Sequence, residues 1–197
     1  DRPFVNLEPN YEAMTAYGTQ DRFTDYHVRR ADYWSLLVAP PAGVTYGHSS
    51  VWMWAHKRDE QAEGHPNSRA AQPWREELRP AGVASMIVLK RFFLQLPWTD
   101  LRPAPELLVE KPGSGELAAF VAIAATDARD WAVAYLPVGG VVRLLADSLK
   151  SDRHHYWVDP RTSEWRHQGV LATGDELSLT APDNRDWLLV CAPRELS

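Results

Sequence analysis

Glu8 combines a reactive side chain with a telling position. The segment Pro3-Phe4-Val5-Asn6-Leu7 is short, apolar and β-prone, and Glu8-Pro9 follows it directly. Proline cannot donate to a sheet ladder, so the strand stops there and the Glu8 carboxylate stands at its C-terminal end. In a parallel barrel that is the end where reacting groups gather. A carboxylate so placed can serve as nucleophile or acid/base at a glycosidic bond. The competing reading is a solvated glutamate at a strand end.

Other residues could join it. Glu12 follows four positions on, either as a second acid or as a structural partner for Arg29 or Arg30. Those arginines could also bind substrate, or lie on a solvated helix face. Tyr46, Gly47 and His48 close a second short strand, Ala42 to Gly47, and are expected at the same mouth as Glu8. There Tyr46 or His48 could hydrogen-bond the nucleophile or a sugar hydroxyl. The alternative is a tight turn that needs Gly47. Trp52 and Trp54 could form a sugar platform or fill the rim.

The histidines lack metal spacing, and no HExxH, GxSxG, Walker or dinucleotide motif is present. No metal or cofactor is therefore expected. Cys191 is the sole cysteine, so no internal disulfide can form, and Leu188-Leu189-Val190 makes it a buried apolar residue.

These candidates need elements to hold them. Asp25 to Val38 is predicted helical, because Tyr26, Arg29, Arg30, Tyr33, Trp34 and Leu37 recur at three- and four-residue steps. Asp25 is the expected cap, and Pro40-Pro41 ends the helix. His56 to Pro73 is polar and predicts a long surface loop. Trp74 to Leu96 predicts a helix interrupted at Pro80. The order strand, helix, strand, helix implies two βα units and a parallel sheet.

The composition changes near Pro97. Pro97, Pro103, Pro105 and Pro112 mark a linker-like stretch. Short strands are predicted after it, at 118–125, 131–136, 141–145, 155–158, 164–170, 177–180 and 187–191. Turn residues separate them, which implies an antiparallel β-sandwich. Trp187, Leu189 and Cys191 are expected to share its inner face.

The bulk numbers agree with a globular chain. Of 197 residues, 45% are hydrophobic and 24% charged, an ordinary folded balance. A net charge of -5 gives no electrostatic reason for nucleic acid or an anionic membrane as partner. No apolar run is long enough to span a bilayer as a helix. Asp1-Arg2-Pro3 is neither an initiator nor a signal peptide, so the chain is expected to start at a processing site or a cut.

Four stretches resemble the apiosidase-like bacterial glycoside hydrolases. They are Leu7-Glu8-Pro9-Asn10-Tyr11-Glu12, Arg29-Arg30-Ala31-Asp32-Tyr33-Trp34-Ser35-Leu36-Leu37, Gly43-Val44-Thr45-Tyr46-Gly47-His48 with Trp52, and Trp157-Val158-Asp159-Pro160-Arg161-Thr162. Asp186-Trp187-Leu188-Leu189-Val190 fits as well. The resemblance implies an α/β plus all-β chain. Residues 1–98 would be the last two βα units of a (β/α)8 TIM barrel, and 99–197 a small antiparallel β-sandwich of the collagen-binding type.

It further implies that Glu8 ends the seventh strand as the nucleophile of a retaining glycosidase. Tyr46, His48, Trp52 and Trp54 would bind a carbohydrate substrate. The general acid/base would lie near the fourth strand, in a barrel segment this chain does not contain, so the chain alone should be inactive. A secreted or periplasmic location is compatible with the family. Two departures stand out: Leu7 replaces the usual glycine, and Pro40-Pro41 replaces small residues. The alternative reading is a non-catalytic carbohydrate-binding or scaffolding module.

Overall fold

A computed structural model describes residues 2–66, 68–110, 115–150, 153–171 and 175–195, apart from the side chain of Ala146. Asp1 and Pro112 lie outside them. The chain opens with strand β1 (Phe4–Asn6), helix α1 (Asp25–Leu37) and strand β2 (Pro41–Val44). The strands pair in parallel, Val5 opposite Gly43 and Asn6 opposite Val44. Parallel neighbours need a crossover, and α1 supplies it. A short helix α2 (Ser49–Trp52), a 3-10 turn (Trp74–Glu77) and helix α3 (Ala81–Phe93) follow.

The cap of α1 is Thr24, one residue before the expected Asp25. Thr24 has extended backbone, and its N–H donates to His27 Nδ1 at 3.2 Å. Asp25 is instead the first helical residue, where a carboxylate complements the helix dipole. The buried stripe of α1 is Val28, Arg29, Asp32, Tyr33, Leu36 and Leu37. It is apolar enough to pack, yet carries two ionisable residues, Arg29 and Asp32.

The proline-rich stretch after Pro97 is not a loose linker. It holds strand β3 (Leu101–Pro103), and Leu101, Ala104 and Leu107 are fully buried. Pro103 is tolerated because β3 is the edge of its sheet. The predicted strands follow as β4 (Ala122–Thr126), β5 (Ala132–Leu136), β6 (Val141–Leu145), β7 (His154–Val158), β8 (Trp165–Val170), β9 (Glu176–Thr180) and β10 (Trp187–Ala192). A six-stranded antiparallel sheet runs in the order β3-β4-β5-β10-β7-β8, while β6 and β9 form a separate pair.

Both faces of the central sheet are buried. Ile123, Ala134, Trp187, Leu189 and Cys191 share one core with Val142 and Leu144 of β6. The opposite face, with Ala124, Val133, Tyr135, Leu188 and Val190, packs on Tyr33 and Leu36 of α1 and Leu89, Phe92 and Phe93 of α3. Six consecutive apolar residues in β10 are what a strand covered on both sides requires.

A polar cluster crosses that second interface. Arg29 lies 3% exposed against Asp186 at 2%. Its Nε donates to Asp186 Oδ2 at 2.6 Å and Nη2 to Oδ1 at 3.1 Å. The Tyr135 hydroxyl and Arg161 Nη1 also donate to Asp186, at 3.0 and 3.1 Å. Arg161 in turn pairs with Asp159 at 2.8 Å. Burial opposes the charge of Arg29, but the Asp186 bonds outweigh it and raise its pKa. Arg29 is therefore neither a solvated residue nor a partner for Glu12.

Candidate functional site

Past their paired ends, the chains leaving β1 and β2 continue side by side. Thr45 N–H donates to Asn6 O at 3.1 Å, and Thr45 Oγ1 to Leu7 O at 2.6 Å. Glu12 N–H then donates to Gly47 O at 2.9 Å, and Glu12 and His48 form an isolated parallel bridge. Glu8 and the Tyr46–His48 segment thus lie beyond the same end of the parallel pair. Glu8 itself is exposed. Its N–H donates to Asn6 Oδ1 at 3.1 Å, and the Asn6 amide donates to Ser35 Oγ of α1 at 2.8 Å. The turn is held, while the carboxylate has no hydrogen-bond or ion-pair partner among the described residues.

Tyr46 and His48 are not the donors to Glu8 that the sequence suggested. The Tyr46 hydroxyl donates to Glu12 Oε2 at 2.6 Å, and Gly82 N–H donates to the same oxygen at 2.9 Å. Glu12 is buried, and its carboxylate joins the loop after β1, the loop after β2 and the first turn of α3. A carboxylate at a helix N-terminus is favoured there. Glycine at position 82 makes room for this junction, because a Cβ there would press on the Glu12 carboxylate and the Tyr46 ring. Burial, then the bond to Glu12, pushes the Tyr46 phenol well above its ordinary pKa, so it remains a donor. Glu12 is structural, as one of its two readings had it, but without an arginine.

His48 is buried, with Nε2 3.7 Å from Glu77 Oε2. Burial lowers its pKa and Glu77 opposes that shift. His48, Glu77, Tyr11, Tyr46, Trp52 and Val83 help to line a cavity of about 310 Å³. Trp52 is 41% exposed and meets Tyr11 edge-on, with ring centroids 6.4 Å apart. Trp54 is 60% exposed and adopts φ +52°. It packs edge-on to Trp74 at 4.7 Å, and Arg75 covers the Trp74 ring at 4.5 Å.

The structure therefore gathers Tyr46, His48 and Trp52 at one cavity. Glu8 and Trp54 do not line it. Sequence reasoning missed Glu77, Tyr11, Trp74 and Gly82. Nothing in Trp74-Arg75-Glu76-Glu77 distinguishes Glu77 from its neighbour, whereas Gly82 two residues after a helix-starting proline was a readable signal.

Two family models match this chain. A family model described as apiosidase-like, catalytic domain matches residues 1–100, and one for the collagen-binding domain of a collagenase matches residues 103–192. No curated protein matches in sequence. A solved glycoside hydrolase is similar over 100% of this chain and 43% of its own, with a TM-score of 0.81 and 21% identity. A glycoside hydrolase family 5 protein from Bacteroides vulgatus is similar over 97% of this chain and 41% of its own, with a TM-score of 0.81 and 18% identity. At such identities the likeness is one of fold. The chain spans about two-fifths of the length of these two structures.

Proposed function

The chain belongs to the apiosidase-like glycoside hydrolases, and from that premise we propose that it forms the end of a retaining glycosidase with Glu8 as nucleophile. In this reading residues 1–98 contribute the last two βα units of a (β/α)8 barrel, and 99–197 form a β-sandwich that braces them. The substrate is a polysaccharide or oligosaccharide, and Tyr46, His48, Trp52 and Trp54 contact it. The remaining barrel strands and the general acid come from a segment outside this chain.

The observation that carries the reading is the parallel continuation beyond β1 and β2. It sets an exposed Glu8 carboxylate at the end of the strands where barrel enzymes hold their reacting groups. Covalent attack needs donors that stabilise the carboxylate. Tyr46 donates to Glu12 and His48 faces Glu77, so in this reading the donors come from the segment outside this chain. The acid partner should stand about 5–5.5 Å away in a retaining enzyme.

The test is Glu8→Gln in the complete enzyme. Shape is kept while charge and nucleophile are lost. Turnover should fall on the order of several powers of ten, with little change in substrate affinity. Near-normal turnover would end the assignment of Glu8, whereas no turnover of any glycan by the unmodified complete protein would leave a binding or scaffolding role.

A further inference from the structure

The cavity beside the β2 extension has the features of a ligand site although Glu8 does not line it. Its volume, about 310 Å³, falls at the small end of the range for ligand pockets. Tyr11, Trp52 and Val83 give it apolar walls, and His48 and Glu77 give it polar groups. No Lys or Arg is among its described lining residues. His48 Nε2 and Glu77 Oε2 stand 3.7 Å apart, too far for a direct hydrogen bond. They pair only when His48 is protonated, and His48 Nδ1 has no hydrogen-bond partner among the described residues.

We infer that this cavity is a subsite for a neutral sugar ring, flanking the position served by Glu8, and that Glu77 sets its specificity. The sugar identity rests on the glycosidase reading; the preference for a neutral ligand rests on the cavity alone. A carboxylate is an acceptor only. It matches sugar hydroxyls, which donate, and a hydroxyl set off the line between Glu77 and His48 can donate to one and accept from the other. Aromatic walls suit the apolar C–H face of a ring. A uronic acid would bring its own carboxylate beside Glu77 with no Lys or Arg in the described lining. Arg22 acts on His48 only from beyond that lining and donates to Ala13 O at 2.6 Å. Like charges in a partly desolvated pocket repel.

The experiment titrates the complete enzyme with D-galactose and with D-galacturonate, by calorimetry and by the indole resonance of Trp52. Galactose should bind and shift that resonance, with galacturonate weaker by more than about tenfold. Glu77→Gln should weaken galactose roughly tenfold through loss of a charge-assisted bond, and narrow the gap between the sugars. Glu76→Gln, on the adjacent exposed residue, should change neither. If Glu77→Gln does not fold, Glu77→Asp keeps the charge, so galacturonate should still be refused while galactose weakens.

Equal affinity for the two sugars, no binding of either, or equal effects of the Glu76 and Glu77 changes would overturn the inference. Turnover of Glu8→Gln in the complete enzyme is independent of these results. Its loss alongside an unchanged Glu77→Gln titration removes only the subsite, its retention removes only Glu8 as nucleophile, and no turnover by the unmodified complete enzyme removes the glycosidase reading.

Discussion

The Asp186 cluster and the loops beyond β1 and β2 are built from the same kinds of residue, yet they end in different states. Around Asp186, Arg29, Arg161 and Tyr135 direct four hydrogen bonds at one carboxylate. That matches the roughly four lone-pair sites a carboxylate offers. At the strand ends, Glu8 is exposed, His48 and Glu77 stand too far apart to bond, and Trp52 and Trp54 keep much of their rings in solvent. A saturated cluster serves cohesion. Exposed groups and ring faces at the strand ends are what the proposed ligand would use. Glu12 is the exception within the loops, since Tyr46 and Gly82 occupy it.

The sharpest way to break this contrast is Asp186→Ala. It leaves Arg29 buried and charged, with Asp25 and Ser85 as its remaining partners. Removing one member of a buried pair costs about 3–5 kcal/mol. Urea unfolding should show a lower midpoint at an unchanged slope. A loss below about 1 kcal/mol, as for a surface pair, would mean that the cluster does not hold the sheet to α1.

Asp32 probes the same helix differently. Its side chain is fully buried in α1, and neither oxygen has a hydrogen-bond partner among the described residues. Burial pushes its pKa up from 3.8 to about 8. The folded state therefore holds this proton between those values while the unfolded state releases it. Stability should fall as pH rises through that window, by up to about 1.4 kcal/mol per unit, and level off outside it. Asp32→Asn removes this slope, so the variant should gain on the wild type most at pH 8. Parallel curves for the two proteins would refute the assignment.

The sequence showed much of this unevenly. Strands β4 to β10 were legible within a few residues, because alternation and turn residues are local signals. Edge strand β3 was hidden, since prolines read as a linker when the neighbour that accepts them is unseen. The second covering of the sheet was present in the unbroken apolar run of β10, but period-two reasoning assigns a strand one inner face. Asp159, Arg161 and Asp186 lay in stretches that resemble the family. Their convergence on Arg29, 157 residues before Asp186, is a tertiary fact with no local signature. Glu8, Tyr46 and His48 were legible as strand-end residues and Trp52 as part of the short turn that follows, and the exchange of partners between Glu8 and Glu12 was not.

Gly82→Ala tests the Glu12 junction. Alanine is the better helix former by about 1 kcal/mol. Its Cβ would nevertheless press on the Glu12 carboxylate and the Tyr46 ring. Overpacking costs about 1–3 kcal/mol, so a net loss is expected. It should shrink when Glu12→Ala is added, and a thermodynamic cycle measures that coupling. Strict additivity would show that the contact does not decide the residue.

Trp54→Gly should have the smallest effect on stability and still separate the two regions. Trp54 holds a left-handed backbone at φ +52°, where a side chain other than glycine costs roughly 1–2 kcal/mol. Its edge contact with Trp74 returns about 0.5–1.5 kcal/mol. Glycine removes both terms, and the wider freedom it gives the unfolded chain offsets part of any gain. Unfolding free energy should therefore stay within about 1 kcal/mol of the wild type. Affinity of the complete enzyme for neutral oligosaccharides should fall roughly threefold to tenfold, the value of one aromatic face. A ring kept exposed on strained backbone that can be deleted without harm to the fold, but not without harm to binding, is held there for a ligand. A variant that loses several kcal/mol of stability while binding normally would place Trp54 with Asp186, among the residues of cohesion, and the contrast between the two regions would fail at this point.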